Sequence, residues 1–230
     1  MFLPALAPLL IFIAFLLLLL VSLSVPIIKS IDLFRLTANA SSSILKSSAS
    51  GSVTFGVWGY CVSALKVSVF GSDRSMSDGQ CSKAHLGYTF DSTVADAVGA
   101  SSIQNAISRT TTAALLLHPL AAALAFLTLL VSLFILRRGS NGTSRLPSAL
   151  TTGLAILTSI LTTIVFLIDV IVVAVVRGRV HKASDSLDLT WGNAVWMTLG
   201  AAIALWISTI GAMCGVFGLR STRKRTTNTY

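Results

Sequence analysis

The sequence has no glutamate, and all eight of its acidic residues are aspartate. Charged residues make up 11 % of the 230 positions, against about 25 % in soluble domains, which is too little to cover a soluble surface. The apolar share of 54 % excludes a disordered chain, because disorder requires low hydrophobicity. An integral membrane protein is the class that remains.

Recognisable catalytic patterns are also missing. The sequence has no glycine-rich phosphate loop and no H-x-x-x-H metal pattern. Its three histidines, His85, His118 and His181, have no paired acid and nucleophile at recognisable spacing. We therefore expect no enzymatic activity, no cofactor and no bound metal.

Four long apolar runs are present, and a membrane span needs about 20 mostly apolar residues. They predict an all-α membrane fold with transmembrane helices at 1–25, 113–136, 150–176 and 193–219. The first run has an alternative interpretation as a cleaved signal peptide. No lysine or arginine precedes it, however, and it is longer than an ordinary signal segment.

Basic residues indicate the orientation of these helices. The acid-free basic clusters lie in 137–149 and in the tail 220–230, which we expect to be cytosolic. The large loop 26–112 and the short loop 177–192 are then extracellular, and both termini are cytosolic. The net charge of +9 is thus a topology signal that does not require nucleic acid, and it also attracts anionic lipid of the bilayer.

The large loop contains a serine-rich segment and several strand patterns. Residues 37–52 include seven serines and predict a flexible linker. Within this segment, Asn39 begins the sequence Asn-Ala-Ser, a glycosylation acceptor if it lies outside the cytosol. Residues 53–61 and 66–70 are rich in β-branched and aromatic residues, which favours short strands.

Cys61 and Cys81 are the two cysteines of this loop. Because the compartment outside the cell is oxidising, a disulfide is the expected state. Two free thiols or a metal pair are the alternatives, although only His85 lies nearby and structural zinc requires four ligands.

Asp169 is the one charged residue inside a predicted span. Thr158, Thr162 and Asp169 recur at helical spacing, so this polar stripe is predicted to face the inside of the bundle. Asp169 then forms an interhelical hydrogen bond or, alternatively, belongs to a proton or ion path.

Small residues recur along the fourth span, which allows close helix packing. They are Gly200, Ala204, Ser208, Gly211 and Gly215. They serve packing within the same bundle or, alternatively, a surface for a partner or for homo-oligomer formation.

One motif carries a family resemblance. The segment Gly56-Val57-Trp58-Gly59-Tyr60-Cys61, followed by Cys81 and Leu86-Gly87-Tyr88, resembles the fungal PalI and SUR-type family of tetraspan membrane proteins. Claudins share a looser form of this signature. The resemblance implies a claudin-like fold, in which a small disulfide-bonded antiparallel sheet lies over a four-helix bundle.

The resemblance also implies a function. PalI-type members assist a plasma-membrane receptor in sensing ambient alkaline pH, whereas SUR-type members populate eisosomes and support the cell wall. The motif is closer to PalI, so we expect a plasma-membrane scaffold that binds another polytopic membrane protein. An eisosome organiser is the alternative within the family, and a small channel or transporter using Asp169 is the alternative from another class.

Overall fold

The computed structural model describes residues 3–42, 47–63, 66–69, 72–75, 80–83, 104–138, 145–183 and 187–225. Four long helices dominate it: α1 (Leu3–Ser22), α2 (Gln104–Arg138), α3 (Arg145–Ala183) and α4 (Asn193–Arg225). The helices α2, α3 and α4 extend beyond the predicted spans. Pro119 lies inside α2 and does not end it.

Among the residues whose side chains the structure describes, three helical segments are long and apolar enough to cross a membrane: Leu116–Phe134, Leu150–Gly178 and Asn193–Met213. The part of α1 described to the same degree, Leu6–Ser22, is also apolar and shorter. Large apolar side chains on all four helices are exposed, among them Leu9, Phe126, Leu157 and Ile203. An apolar surface of this extent on a soluble protein would be unusual, so lipid chains are its natural cover.

The chain divides into two compact units. Unit 1 comprises residues 1–19, 119–166 and 198–230, and unit 2 comprises residues 20–118 and 167–197. In unit 1, the aromatic rings of Phe15 on α1 and Phe126 on α2 lie 5.2 Å apart. The buried residues Leu18, Ala125, Val165 and Leu205 show that all four helices contribute to the core of this unit.

Unit 2 contains one antiparallel sheet. Its strands are β1 (Phe34–Ser42), β2 (Ser47–Phe55), β3 (Tyr60–Val62), β4 (Lys66–Val69), β5 (Ser72–Ser75), β6 (Gln80–Cys81) and β7 (Leu187–Trp191). The order is β5-β4-β2-β1-β7, and β3 pairs with both β2 and β6. The small antiparallel loop sheet implied by the resemblance is confirmed.

The predicted serine-rich linker is wrong for the described residues. β1 and β2 pair continuously from Phe34 opposite Phe55 to Ser42 opposite Ser47, which places most of 37–52 in a hairpin. The ladder of backbone hydrogen bonds does not depend on side-chain chemistry. At the opposite end of the β1–β2 pair, the stacked rings of Phe34 and Phe55 have centroids 4.6 Å apart. This apolar contact sets the strand register for the serines further along the pair.

The second loop supplies a strand that the sequence analysis did not predict. β7 pairs with β1, with Phe34 opposite Trp191 and Ala38 opposite Leu187. Leu189 between them is buried, whereas Asp188 and Thr190 are exposed. Residues 187–191 alternate apolar and polar, which is the period of a half-buried strand, so the signal was available.

Candidate functional site: the family motif and the buried polar pairs

The motif Gly56–Cys61 lies against the residues that follow α1. The backbone N–H of Val57 donates to Ser24 Oγ at 2.9 Å. The indole N–H of Trp58 donates to the carbonyl of Ser22, the last residue of α1. Because Val57 and Ser24 are both fully buried, the bond between them is shielded from water, and together the two bonds fix the motif to the end of the helix.

Two glycines of the motif permit this close approach. A Cβ atom on Gly56 would lie 2.7 Å from the backbone nitrogen of Val25. On Gly59 it would overlap Ser82 Oγ and lie 3.4 Å from the Pro26 ring. Both positions therefore have no room for a side chain.

The predicted disulfide between Cys61 and Cys81 is present. The two residues also occupy opposite positions in the β3–β6 pair. Beside them, Tyr60 N–H donates to Ser82 Oγ at 3.1 Å, and Ser82 N–H donates back to the Tyr60 carbonyl at 2.9 Å. The disulfide thus reinforces a strand pair that already has backbone hydrogen bonds.

Two other predicted features of this loop are only partly described. Asn39 lies in β1 opposite Ser50, one residue beyond the last β1 position paired with β7. Leu86, Gly87, Tyr88 and His85 lie outside the described residues. Glycosylation of Asn39 stays a prediction.

A second junction joins the start of the sheet to the start of α4. Gly192 N–H donates to the Leu33 carbonyl at 2.9 Å, and Ala194 N–H donates to the Asp32 carbonyl at 3.0 Å. The Asp32 carboxylate is buried, with Arg35 at 3.8 Å. Burial raises the pKa of Asp32 above its ordinary value of 3.8, and the nearby Arg35 guanidinium partly opposes that rise. The sequence carries no direct signal for this junction, because its bonds come mainly from backbone groups.

Asp169 forms the interhelical hydrogen bond expected of it. Its Oδ2 atom lies 3.1 Å from Nε2 of His118, and both side chains are almost fully buried. His118 thus has an acidic partner in the structure. The two residues are 51 positions apart, so no local spacing could reveal the pair. His118 either donates to the carboxylate or accepts from the protonated acid, and each form satisfies both buried groups.

The threonines of the predicted stripe are buried as well. The hydroxyl oxygens of Thr128 on α2 and Thr158 on α3 lie 2.9 Å apart. Ser159 on α3 and Thr209 on α4 form a similar pair at 3.0 Å. The Thr162 hydroxyl donates to the backbone carbonyl of Thr158 at 2.8 Å. We name the two pairs Thr128–Thr158 and Ser159–Thr209 the hydroxyl layer; it links α2, α3 and α4 in unit 1.

The small residues of α4 pack against α1 in the same chain. Leu17 lies 3.6 Å from where a Cβ on Gly200 would stand, and Ser208 Oγ donates to the Ala7 carbonyl at 3.2 Å. Ala204 between them is buried. Gly211 does not pack within the bundle, because it is exposed and no atom lies within 4 Å of its Cβ position; the alternative of a partner surface stays a prediction for this residue. Ser208 already meets Ala7 near the start of α1, so little of α1 remains for Gly211 to contact.

Gly215 lies in α4, and its surroundings lie outside the described residues. In the parts of the chain that the structure describes, no group of three or more His, Cys, Asp or Glu residues could hold a metal ion. Within the same parts, every buried side-chain nitrogen or oxygen has a hydrogen-bond partner. The buried polar side chains of the described residues are thus engaged in hydrogen bonds within the protein.

Comparison with known proteins gives one family. The model of the SUR7/PalI family matches residues 3–208, which include the four apolar helices up to Ser208, the loop sheet and the cysteine pair. A search of curated proteins returned no match. Because the family match covers most of the 230 residues, the chain belongs to the SUR7/PalI family.

Proposed function

We propose that the protein is a non-enzymatic plasma-membrane scaffold that binds and stabilises a polytopic receptor in ambient-pH signalling. Membership of the SUR7/PalI family supports a membrane scaffold-type role. The receptor role is the PalI-type function, and the motif Gly56–Cys61 is closer to that branch.

The proposal rests on the contacts that the residues of the motif make. Trp58 and Val57 bond to the residues that end α1, Gly56 and Gly59 allow the approach, and Cys61 closes the disulfide. Each of these contacts is internal and none presents a reactive group. The motif therefore holds the sheet in one conformation before any partner binds. Such a sheet suits binding to another protein, because little conformational entropy is lost on association.

In the proposed topology, the sheet lies outside the cell and both termini lie in the cytosol. The exposed side chains of Arg35, Asp188 and Thr190 on β1 and β7 then form a polar surface at one side of the sheet. Large apolar side chains on the four helices face lipid or the receptor's own helices.

A deletion strain complemented with variants tests the proposal. We expect deletion to impair growth at alkaline pH and to lower the amount of the receptor at the plasma membrane. The wild-type gene restores both, whereas Trp58→Ala does not, because it removes the bond to Ser22 and the indole packing. Gly153→Ala is the matched control, since no atom lies within 4 Å of its Cβ position.

Normal alkaline growth after deletion, together with localisation of the tagged protein in stable furrow-like patches, would contradict the proposal. Those results would favour the eisosome organiser of the SUR-type branch. A reporter fused at Tyr230 tests the topology separately, and an extracellular signal would overturn it.

A further inference from the structure

We propose that the basic residues at one end of unit 1 form a binding site for the headgroups of anionic phospholipids in the adjacent leaflet. The basic cluster consists of Arg137, Arg138, Arg145, Arg220, Arg223, Lys224 and Arg225. The proposal rests on the membrane-spanning fold and is independent of the proposed role in pH signalling.

The basic cluster has no acidic partner in its own unit. All eight aspartates of the sequence fall within residues 20–118 and 167–197, which is unit 2. Unit 1 therefore carries seven basic side chains and no acidic one, and seven of the nine net charges belong to it. Neutralisation of these charges has to come from outside the unit.

The hydroxyl layer shows that the three helix ends lie at a similar level. Arg138 follows Thr128 by ten residues on α2, and Arg145 precedes Thr158 by thirteen residues on α3. With a rise of 1.5 Å per residue, these positions lie about 15 and 20 Å from the layer. On α4, the segment 220–225 follows Thr209 at about 16 to 24 Å in the same direction. The bonds Thr128–Thr158 and Ser159–Thr209 hold the helices in this register.

The distance from the apolar segments places the cluster at headgroup depth. Along the sequence, Arg137 directly follows the apolar pair Ile135-Leu136, Arg145 precedes Leu150 by five residues, and Arg220 directly follows Leu219. These offsets of one to five residues correspond to about 2 to 8 Å along a helix. The headgroup region of one leaflet is about 5 to 8 Å thick.

The residue types favour phosphate groups as the occupant. Six of the seven residues in the cluster are arginine, whereas the ten basic residues of unit 2 are divided equally between arginine and lysine. The planar guanidinium group binds phosphate with two parallel hydrogen bonds, which the lysine ammonium cannot do. Clusters of four to eight basic residues beside a membrane helix are typical of anionic lipid recognition.

Lipid selectivity in reconstituted protein tests the proposal. The full chain is placed in phosphatidylcholine nanodiscs that contain a small amount of spin-labelled phosphatidylserine or spin-labelled phosphatidylcholine. Electron spin resonance then measures the fraction of each label that is immobilised at the protein surface. We expect a severalfold preference of the wild-type protein for phosphatidylserine, and loss of that preference in high salt, which screens exposed charges.

The variant R220Q/R223Q removes two charges of the cluster, and R177Q/R179Q removes two charges from the α3 region of unit 2. We expect the first variant to lose most of the preference, by up to about fivefold for each charge removed. The second variant should keep the wild-type value, since its charges belong to the other unit. If R220Q/R223Q does not fold, R137Q/R138Q tests the same cluster.

Three results would overturn the proposal: no preference in the wild-type protein, an unchanged preference in the cluster variant, or equal losses in both variants. The first would show that the basic cluster acts only as a topology signal. Because reconstituted protein is measured without a receptor, failure of the receptor hypothesis would leave this result unaffected.

Discussion

Replacement of Gly192 by alanine should destabilise the protein more than any other glycine-to-alanine change at a helix or strand end that the structure describes. A Cβ atom at Gly192 would overlap the carbonyl oxygen of Asp32 and lie 2.6 Å from the carbonyl carbon of Leu33. These neighbours are backbone atoms, so no side-chain rotation relieves the overlap. The start of β1 has to move away from the β7–α4 junction.

The magnitude follows from what that movement breaks. Overpacking in a buried site costs about 1–3 kcal/mol. The bonds from Gly192 N–H to Leu33 and from Ala194 N–H to Asp32 contribute about 1 kcal/mol each. A total loss of about 3–5 kcal/mol corresponds to a fall in Tm of about 10 °C for a chain of this size.

Fluorescence-detected size-exclusion chromatography after heating measures this Tm in detergent. Gly178→Ala is the matched control, because no atom lies within 4 Å of its Cβ position and alanine favours the helix by about 1 kcal/mol. It should melt at or above the wild-type temperature. A Gly192→Ala protein that melts within about 2 °C of the control would refute the argument from backbone overlap.

Three further predictions concern charged and cross-linked residues. Because burial raises the pKa of Asp32, the folded state binds more protons than the unfolded state, so the wild-type Tm should gain, relative to Asp32→Asn, as pH falls from 7 towards 4; a constant difference would contradict this. Cys61→Ser and Cys81→Ser should each cost about 3 kcal/mol and be retained in the secretory pathway, and the double variant should melt like either single one; additive losses would contradict a single shared bond. His118→Leu removes the hydrogen-bond partner of the buried Asp169 carboxyl group and should cost about 3 kcal/mol, and His118→Leu with Asp169→Leu should melt at a higher temperature than His118→Leu alone; independent effects would show that the pair is not coupled.

The helices and the disulfide were predictable because their signals are local or chemical. Apolar runs of about 20 residues in a chain with few charges are stable as helices that span a lipid bilayer. The glycines around Trp58 and the two loop cysteines carry equally direct information. These features define the membrane helices and the centre of the loop sheet.

The missed features depend on partners distant in sequence. The serines of β1 and β2 have low strand propensity, yet pairing that starts at Phe34 and Phe55 places them in a ladder. The pair His118–Asp169 and the junction at Gly192 join residues 51 or more positions apart. Composition indicates the secondary structure that a segment prefers by itself, whereas pairing with distant residues determines the structure at these positions.

The pairing of β1 with β7 has a consequence for biosynthesis. Phe34 meets Trp191, so the ribosome has to complete α2 and α3 before this edge of β1 gains its neighbour. Until then, one side of β1 presents unpaired backbone groups, which are a template for wrong strand association. The edge is closed only when β7 has been made, so any delay in inserting α3 prolongs the interval in which these backbone groups stay unpaired.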